Sequence, residues 1–339
     1  MEITRGEYNV SGRYFELEPS VGEVIDVSLP KYKMPSLKKH SAGYYVEDDM
    51  DLIDLFIGAE GTLGVYSEIE IGLEKMPEVI YPIYAHFNSI GDILGFVESL
   101  KRYSGESPAS IFSIEFFDRY SVDFIRKKYP PPLIPEESRG IIFFEIAGDE
   151  ENVFNTMAEV SEILDEFNVL KVMASEDPNW IEKSREMRHA VPEGVSIFVR
   201  RHNTHKVSTD IAVPRDRFRE MMDTYLDVGE SSGIHYVMYG HIGDSHIHFN
   251  FLPRNATELR KSLEYAVELM KKGVALGGTI SAEHGVGKKV YFEDGEPEPI
   301  LKILYGERGL LESAELKKTI DESLILNIGN IISEKYLGV

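Results

Sequence analysis

Apolar residues follow two rhythms along this chain. An every-second-residue alternation runs loosely through residues 14–27 and clearly through 81–87. The same strand reading applies to 206–213, which ends at Pro214, to 234–239 and to 246–252. Residues 141–147 are an unbroken apolar run of the kind a buried strand shows, and 113–117 start another strand. Spacings of three and four mark helices at 90–103, 121–128, 153–167, 218–228 and 256–276. One more helix opens at Asp177-Pro178-Asn179-Trp180 and runs to Arg188, while Pro130-Pro131-Pro132 cannot continue the helix before it. Residues 29–44 read as a loop rich in Pro and Lys, 48–56 as a short helix capped by acidic residues, and 58–71 as a glycine-rich turn entering a strand. The mixture predicts an α+β fold, an antiparallel sheet with helices on one face.

Composition narrows the chemistry. A chain of 339 residues with 42% hydrophobic content is long enough for two domains with real cores. No apolar run approaches the roughly 18–20 residues of a membrane span, and Met1-Glu2-Ile3-Thr4-Arg5 lacks a signal-peptide layout, so a cytoplasmic protein is expected. The absence of cysteine excludes disulfides, thiol catalysis and iron–sulfur ligation by this chain, and leaves any metal to His, Asp and Glu. A net charge of −22 repels nucleic acid, and a small anionic substrate would need its own local Arg or Lys.

The histidines are unevenly spread. Of ten, three stand within Tyr239-Gly240-His241-Ile242-Gly243-Asp244-Ser245-His246-Ile247-His248-Phe249-Asn250. In an extended strand His241 and His248 would lie about 23 Å apart at roughly 3.3 Å per residue, so they share an ion only if the chain reverses, which Gly243-Asp244 allows. Beyond that turn His246, His248 and Asn250 share one strand face and Ile247, Phe249 and Phe251 the other. Spacing alone does not choose between His246 with His248 and His241 with His248 as a chelating pair, and histidines in ordinary hydrogen bonds are the simpler alternative.

A second segment, Ser281-Ala282-Glu283-His284-Gly285-Val286-Gly287, lies between glycines that permit positive φ. Glu283 could complete a two-His, one-carboxylate set and leave His284 as an acid–base group. Gly285-Val286-Gly287-Lys288 is not a phosphate loop, because Ala282 and Lys289 stand where Gly and Ser or Thr are required. Gly58-Ala59-Glu60-Gly61-Thr62-Leu63-Gly64 offers backbone amides to a phosphate or flavin edge, although such a run is more often a tight turn. Arg185 and Arg188 follow Trp180 on a helix, and Lys206, Ser208 and Asp210 share a strand face without a role that the residues themselves assign.

Three of these segments together resemble a known family. Residues 51–65 with their Gly-Ala-Glu-Gly-Thr-Leu-Gly core, then Gly240-His241-Ile242-Gly243-Asp244, then Glu283-His284-Gly285-Val286-Gly287 are similar, in order, to motifs of the FAD-linked oxidases. The branch is that of D-lactate dehydrogenase, D-2-hydroxyglutarate dehydrogenase and the glycolate oxidase flavin subunit, with the vanillyl-alcohol oxidase fold. Asp210-Ile211-Ala212-Val213-Pro214 and the stretch 321–329 fit the same pattern. The resemblance implies that residues 1–78 are the C-terminal part of an FAD-binding α+β domain and 79–320 a substrate- and metal-binding cap domain with an antiparallel sheet covered by helices. Residues 321–339 would be a tail returning to the flavin domain.

It also implies roles. His241, His248 and Glu283 would ligate zinc or manganese, and His284 would take the substrate hydroxyl proton. Arg188, Lys206 and Asn250 would hold the substrate carboxylate, and Gly58, Glu60, Gly61, Thr62 and Gly64 would contact FAD. The reaction would be metal-assisted, FAD-dependent oxidation of a small D-2-hydroxy acid such as lactate, glycolate or 2-hydroxyglutarate to its 2-oxo acid. The family usually has Gly-Asn where this chain has Ser245-His246, and Pro where Ile328 stands. The resemblance implies that relatives have a further N-terminal stretch, on the order of 100 to 150 residues, carrying the loop that cradles the FAD pyrophosphate, so that this chain would start inside the flavin domain. That predicts a split or truncated enzyme, with a separate chain carrying the N-terminal FAD-binding half and an iron–sulfur or other electron-acceptor protein as partners. The competing readings are a metal-dependent hydrolase and a non-catalytic assembly subunit that has lost its flavin.

Overall fold

The computed structural model describes residues 1–8, 10–20 and 22–339. Val21, inside the loosely alternating stretch 14–27, lies outside the described residues. In chain order the elements are β1 (Tyr14–Leu17), β2 (Ile25–Ser28), α1 (Leu52–Phe56), β3 (Val79–Phe87), α2 (Ile90–Tyr103), β4 (Ser110–Asp118), α3 (Arg119–Lys128) and β5 (Gly140–Gly148). There follow α4 (Glu150–Asp165), β6 (Val169–Ala174), α5 (Pro178–Arg201), β7 (Val207–Ser208), β8 (Ile211–Ala212), α6 (Phe218–Ser232), β9 (Tyr236–Gly240), β10 (His246–Phe251) and α7 (Ala256–Ala275). The chain ends with β11 (Val290–Glu293), β12 (Glu296–Pro299), α8 (Leu301–Ile320) and α9 (Glu334–Leu337). Two compact units result: 1–71, 210–214 and 267–339 form the first, and 72–209 with 215–266 the second.

The second unit is built on seven strands in the order β6-β3-β5-β4-β9-β10-β7, every neighbouring pair antiparallel. Alternation decides what each face of the sheet carries. On one face Phe87 and Phe144 pack on Phe96 of α2, with ring centroids 5.5 and 5.8 Å away. On the other, Tyr84, Phe117, Ile141 and Phe143 bury against Val122 and Ile125 of α3 and Met187 and Val191 of α5. Helices therefore cover both faces, not one. The reason is that β3 and β5 are apolar at nearly every position, as strands buried on both sides must be. Helix α5 also runs on to Arg201 past Pro192, because Ala190, Val191 and Val195 continue its buried stripe.

In the first unit β1 pairs with β2, and α8 packs on β2. Tyr32 stacks on Tyr305 of α8 with centroids 3.8 Å apart, and His40 bonds Tyr305 and Thr279. These contacts explain why residues 267–320, placed in the cap by the sequence reading, group with the N-terminal residues. The ammonium of Lys317, 2% exposed, donates to the carbonyls of Thr62 and Leu326 at 2.5 and 2.6 Å and pairs with Asp321. The glycine-rich turn and the residues after α8 are thereby fixed to one helix.

Two further stretches differ from expectation. Residues 58–71 contain no strand: Val65, Ile69 and Ile71, with Leu73 just beyond them, are 71–89% exposed and outside any ladder. Alternation alone does not make a strand when no neighbour supplies the hydrogen bonds. The stretch 206–213 is also broken, since Thr209 and Asp210 interrupt it between β7 and β8.

Candidate functional site

The histidine group of the second unit is made by one reversal. β9 ends at Gly240, whose φ of 128° and whose missing side chain both matter, because a Cβ there would come within 2.9 Å of the His248 ring. A 3-10 turn over Ile242–Asp244 follows, and Ser245 takes a left-handed φ of 56° before β10 begins. The His241 carbonyl accepts from the amides of Asp244 and His246 at 2.9 and 3.3 Å, which closes the turn. The outcome is that ring nitrogens of His241, His246 and His248 all lie within 4.8 Å of one another. Behind them Ile247, Phe249 and Phe251 are fully buried.

Glu115, in β4, joins this group to a cation. Its Oε1 accepts from His241 Nδ1 at 2.9 Å and from an Arg188 Nη2 at 3.3 Å, and its side chain is only 7% exposed. The Arg188 guanidinium also lies over the Phe143 ring, 4.8 Å from the centroid. A carboxylate on Nδ1 assigns the proton to that nitrogen and leaves the Nε2 lone pair for a metal. Nothing in the spacing of Glu115 marks it in the sequence; its signal is a lone carboxylate inside the apolar stretch Ile114-Glu115-Phe116-Phe117.

Lys206 and Asn250 are brought together, with Lys206 Nζ 3.3 Å from Asn250 Oδ1. Asn250 is fully buried, also accepts from Ser208 Oγ, and donates from Nδ2 to the His248 carbonyl at 2.9 Å. Its amide thus fixes Lys206 and the backbone of a histidine. Burial lowers the Lys206 pKa.

Glu283 and His284 stand in the first unit, so the predicted set divides between the two. The loop that carries them is held by two carboxylates. Asp210 Oδ2 accepts from the amides of Ala282, Glu283 and His284 at 3.1, 3.1 and 2.8 Å and from Ser281 Oγ at 2.7 Å. Glu60 accepts from the amides of Val286 and Gly287 at 2.8 and 3.0 Å and from Asn330 Nδ2 at 2.8 Å. Gly285 has a φ of 70°, and a Cβ there would lie 2.5 Å from Glu60. Lys39 Nζ lies 3.3 Å from Glu283 Oε2, and His284 Nε2 3.5 Å from Glu283 Oε1. Ligand atoms of Asp210, Glu283 and His284 are all within 4.8 Å of one another, and the His284 side chain is 60% exposed.

Glu60 and Thr62 therefore turn their side chains inward: Glu60 to this loop, Thr62 to the Ala59 carbonyl and Tyr44 hydroxyl. What the turn presents outward is exposed backbone at Gly58 and Gly61, both at positive φ. Asp210 and Glu60 as loop holders were not assigned from sequence, because both act on backbone amides more than 70 residues away.

The family described as FAD linked oxidases, C-terminal domain, matches residues 76–331. Glycolate oxidase subunit GlcD of Bacillus subtilis is 25% identical over 303 residues, 88% of this chain and 59% of that protein. D-lactate dehydrogenase of Anaerostipes hadrus is 23% identical over 321 residues, 91% of this chain and 62% of that one. Mitochondrial D-2-hydroxyglutarate dehydrogenase of Bos taurus is 26% identical over 285 residues, 82% and 49%. The chain spans about half or a little more of the length of these relatives. Among solved structures, 4-ethylphenol oxidase from Gulosibacter chungangensis superposes with a TM-score of 0.55 at 12% identity, covering 77% of this chain and 55% of that one. At that identity the likeness concerns the fold.

Proposed function

Because the chain belongs to the FAD-linked oxidases through the family of their C-terminal domains, we propose that it serves the FAD-dependent oxidation of a small D-2-hydroxy acid to its 2-oxo acid. The observation that supports this most is the histidine group tied to Arg188 through Glu115, which sets metal-ligating nitrogens beside a cation suited to a carboxylate. The donor set fits a divalent cation: convergent imidazoles, one with its tautomer assigned by a carboxylate. Bound FAD would supply the acceptor for the hydride leaving the substrate C2, and a bound cation would polarise the 2-hydroxyl.

The chain's own residues carry the rest of the proposal. His284 takes the hydroxyl proton, on a loop that Asp210 and Glu60 keep in one shape. Arg188 and Lys206 hold the substrate carboxylate, and Asn250 positions Lys206. A metal-ligand role for Glu283 is part of the same proposal and is read from the metal content of E283Q. Exposed backbone at Gly58 and Gly61 is the proposed contact with FAD, and a chain carrying the remaining FAD-binding portion, with an electron-acceptor protein, are the proposed partners.

The test is dye reduction by the protein isolated with its native partners, assayed with D-lactate, L-lactate, glycolate and D-2-hydroxyglutarate. Turnover with D or achiral acids that disappears in H284A, with metal content unchanged, is the expected result. Full turnover in H284A removes that residue as the base, and a flavin-loaded complex inert to all four acids defeats the reading.

A further inference from the structure

We propose that His246 is a third imidazole ligand, so that this chain holds a three-histidine site for a late first-row divalent cation, zinc in preference to manganese. The inference deepens the proposed function and rests on it only for what the cation does, not for its binding.

The geometry comes from one short stretch of chain. His246 and His248 are two apart on β10 and so project from one face of the strand. Their ring centroids are 4.6 Å apart, and the reversal over Ile242–Asp244 brings His241 to 5.4 Å from His246 and 5.6 Å from His248. Three imidazoles on a common ion at about 2.0–2.1 Å each need nitrogens roughly 3.3 Å apart. The observed limit of 4.8 Å exceeds that by about 1.5 Å, a gap of the size that side-chain torsions span. Gly240 keeps the wall behind His248 thin, since any side chain there would press on that ring.

Ligand chemistry then sets the preference. A carboxylate-rich site suits the hard ions magnesium and manganese, whereas neutral imidazoles suit zinc, cobalt, nickel and copper. His246 is fully buried on the strand face it shares with His248.

The experiment uses the full chain, stripped of metal, titrated with zinc and with manganese in competition with a chromophoric chelator. Wild-type protein should bind one zinc at least about 100-fold more tightly than manganese, in line with the order of first-row affinities for nitrogen sites. H246N should lose at least about tenfold in zinc affinity and change less toward manganese, and the visible bands of the cobalt-loaded protein should shift. Equal zinc affinity and an unchanged cobalt spectrum in H246N overturn the inference. Should H246N not fold, X-ray absorption of zinc-loaded wild type decides: three imidazoles support the site, two or fewer overturn it. Zinc on three imidazoles in a protein that oxidises no hydroxy acid would leave this inference standing and defeat the proposed function. A protein that binds no divalent cation would defeat the inference and leave the oxidation reading to the dye assay.

Discussion

Glu115 shows how much of a candidate site can rest on one buried carboxylate. It is buried, it orients His241, and it holds Arg188, so removing its charge should disturb both at once. E115Q is expected to lower metal affinity by about 10- to 100-fold, the usual effect of losing a partner behind a ligand. Unchanged affinity by chelator competition would mean that His241 is oriented by something else. His86 is a different case, a fully buried histidine bonded to Ser138 Oγ, with Nε2 lacking a hydrogen-bond partner. Burial, with Lys171 and Arg126 adding to it, pushes its pKa down to about 4. The unfolded chain binds that proton below about pH 6.5 and the folded chain does not. Stability from this group is therefore complete above about pH 6.5 and is lost as pH falls toward 4, by an amount on the order of 3 kcal/mol. H86L should unfold in urea with a shallower dependence on pH across that window, and an identical slope would contradict the assignment.

At the scale of elements, helix packing makes demands that propensity does not reveal. Gly194 lies within α5 where it crosses α3, and a Cβ there would fall 2.3 Å from the Phe124 ring. G194A gains about 1 kcal/mol in helix propensity, but overpacking costs about 1–3 kcal/mol, so a net loss is predicted. A higher urea midpoint in G194A would show that Phe124 moves aside freely. The same distinction between local pattern and context governs what was legible in the sequence. The alternation of His246, His248 and Asn250 with Ile247, Phe249 and Phe251 could be read directly, because period two fixes faces without outside help. The turn at Gly243-Asp244 could be read as a requirement. The helical span 301–320 could not, since it is two helices that meet at a kink at Gly306, φ 66° and ψ −177°, so no single periodic run marks it. Nor could the roles of Glu115, Asp210 and Glu60, whose partners become neighbours only through the fold. The metal and acid–base candidates were named because their types are rare and clustered; the side chains that hold them are ordinary carboxylates.

At the scale of the molecule, the chain carries a family match over residues 76–331 and a covering of about half or a little more of several relatives. The segment 65–76 lies outside regular structure with most of its apolar side chains in solvent. Glutamyl endopeptidase is expected to cut first at Glu68, Glu70 or Glu74, read by mass spectrometry of early fragments, and resistance there would show that the segment is covered in solution. A charge of −22 adds a demand of its own: under the proposed function an anionic substrate needs local cations, and Arg188 and Lys206 are the ones proposed. The measurement that reaches the central claim most directly is the flavin spectrum of the native complex, mixed anaerobically with each hydroxy acid in turn. Bleaching by a D-2-hydroxy acid but not its L enantiomer, lost in H284A, is the predicted result. A flavin that stays oxidised with every D-2-hydroxy acid, or that bleaches equally well in H284A, would contradict the account.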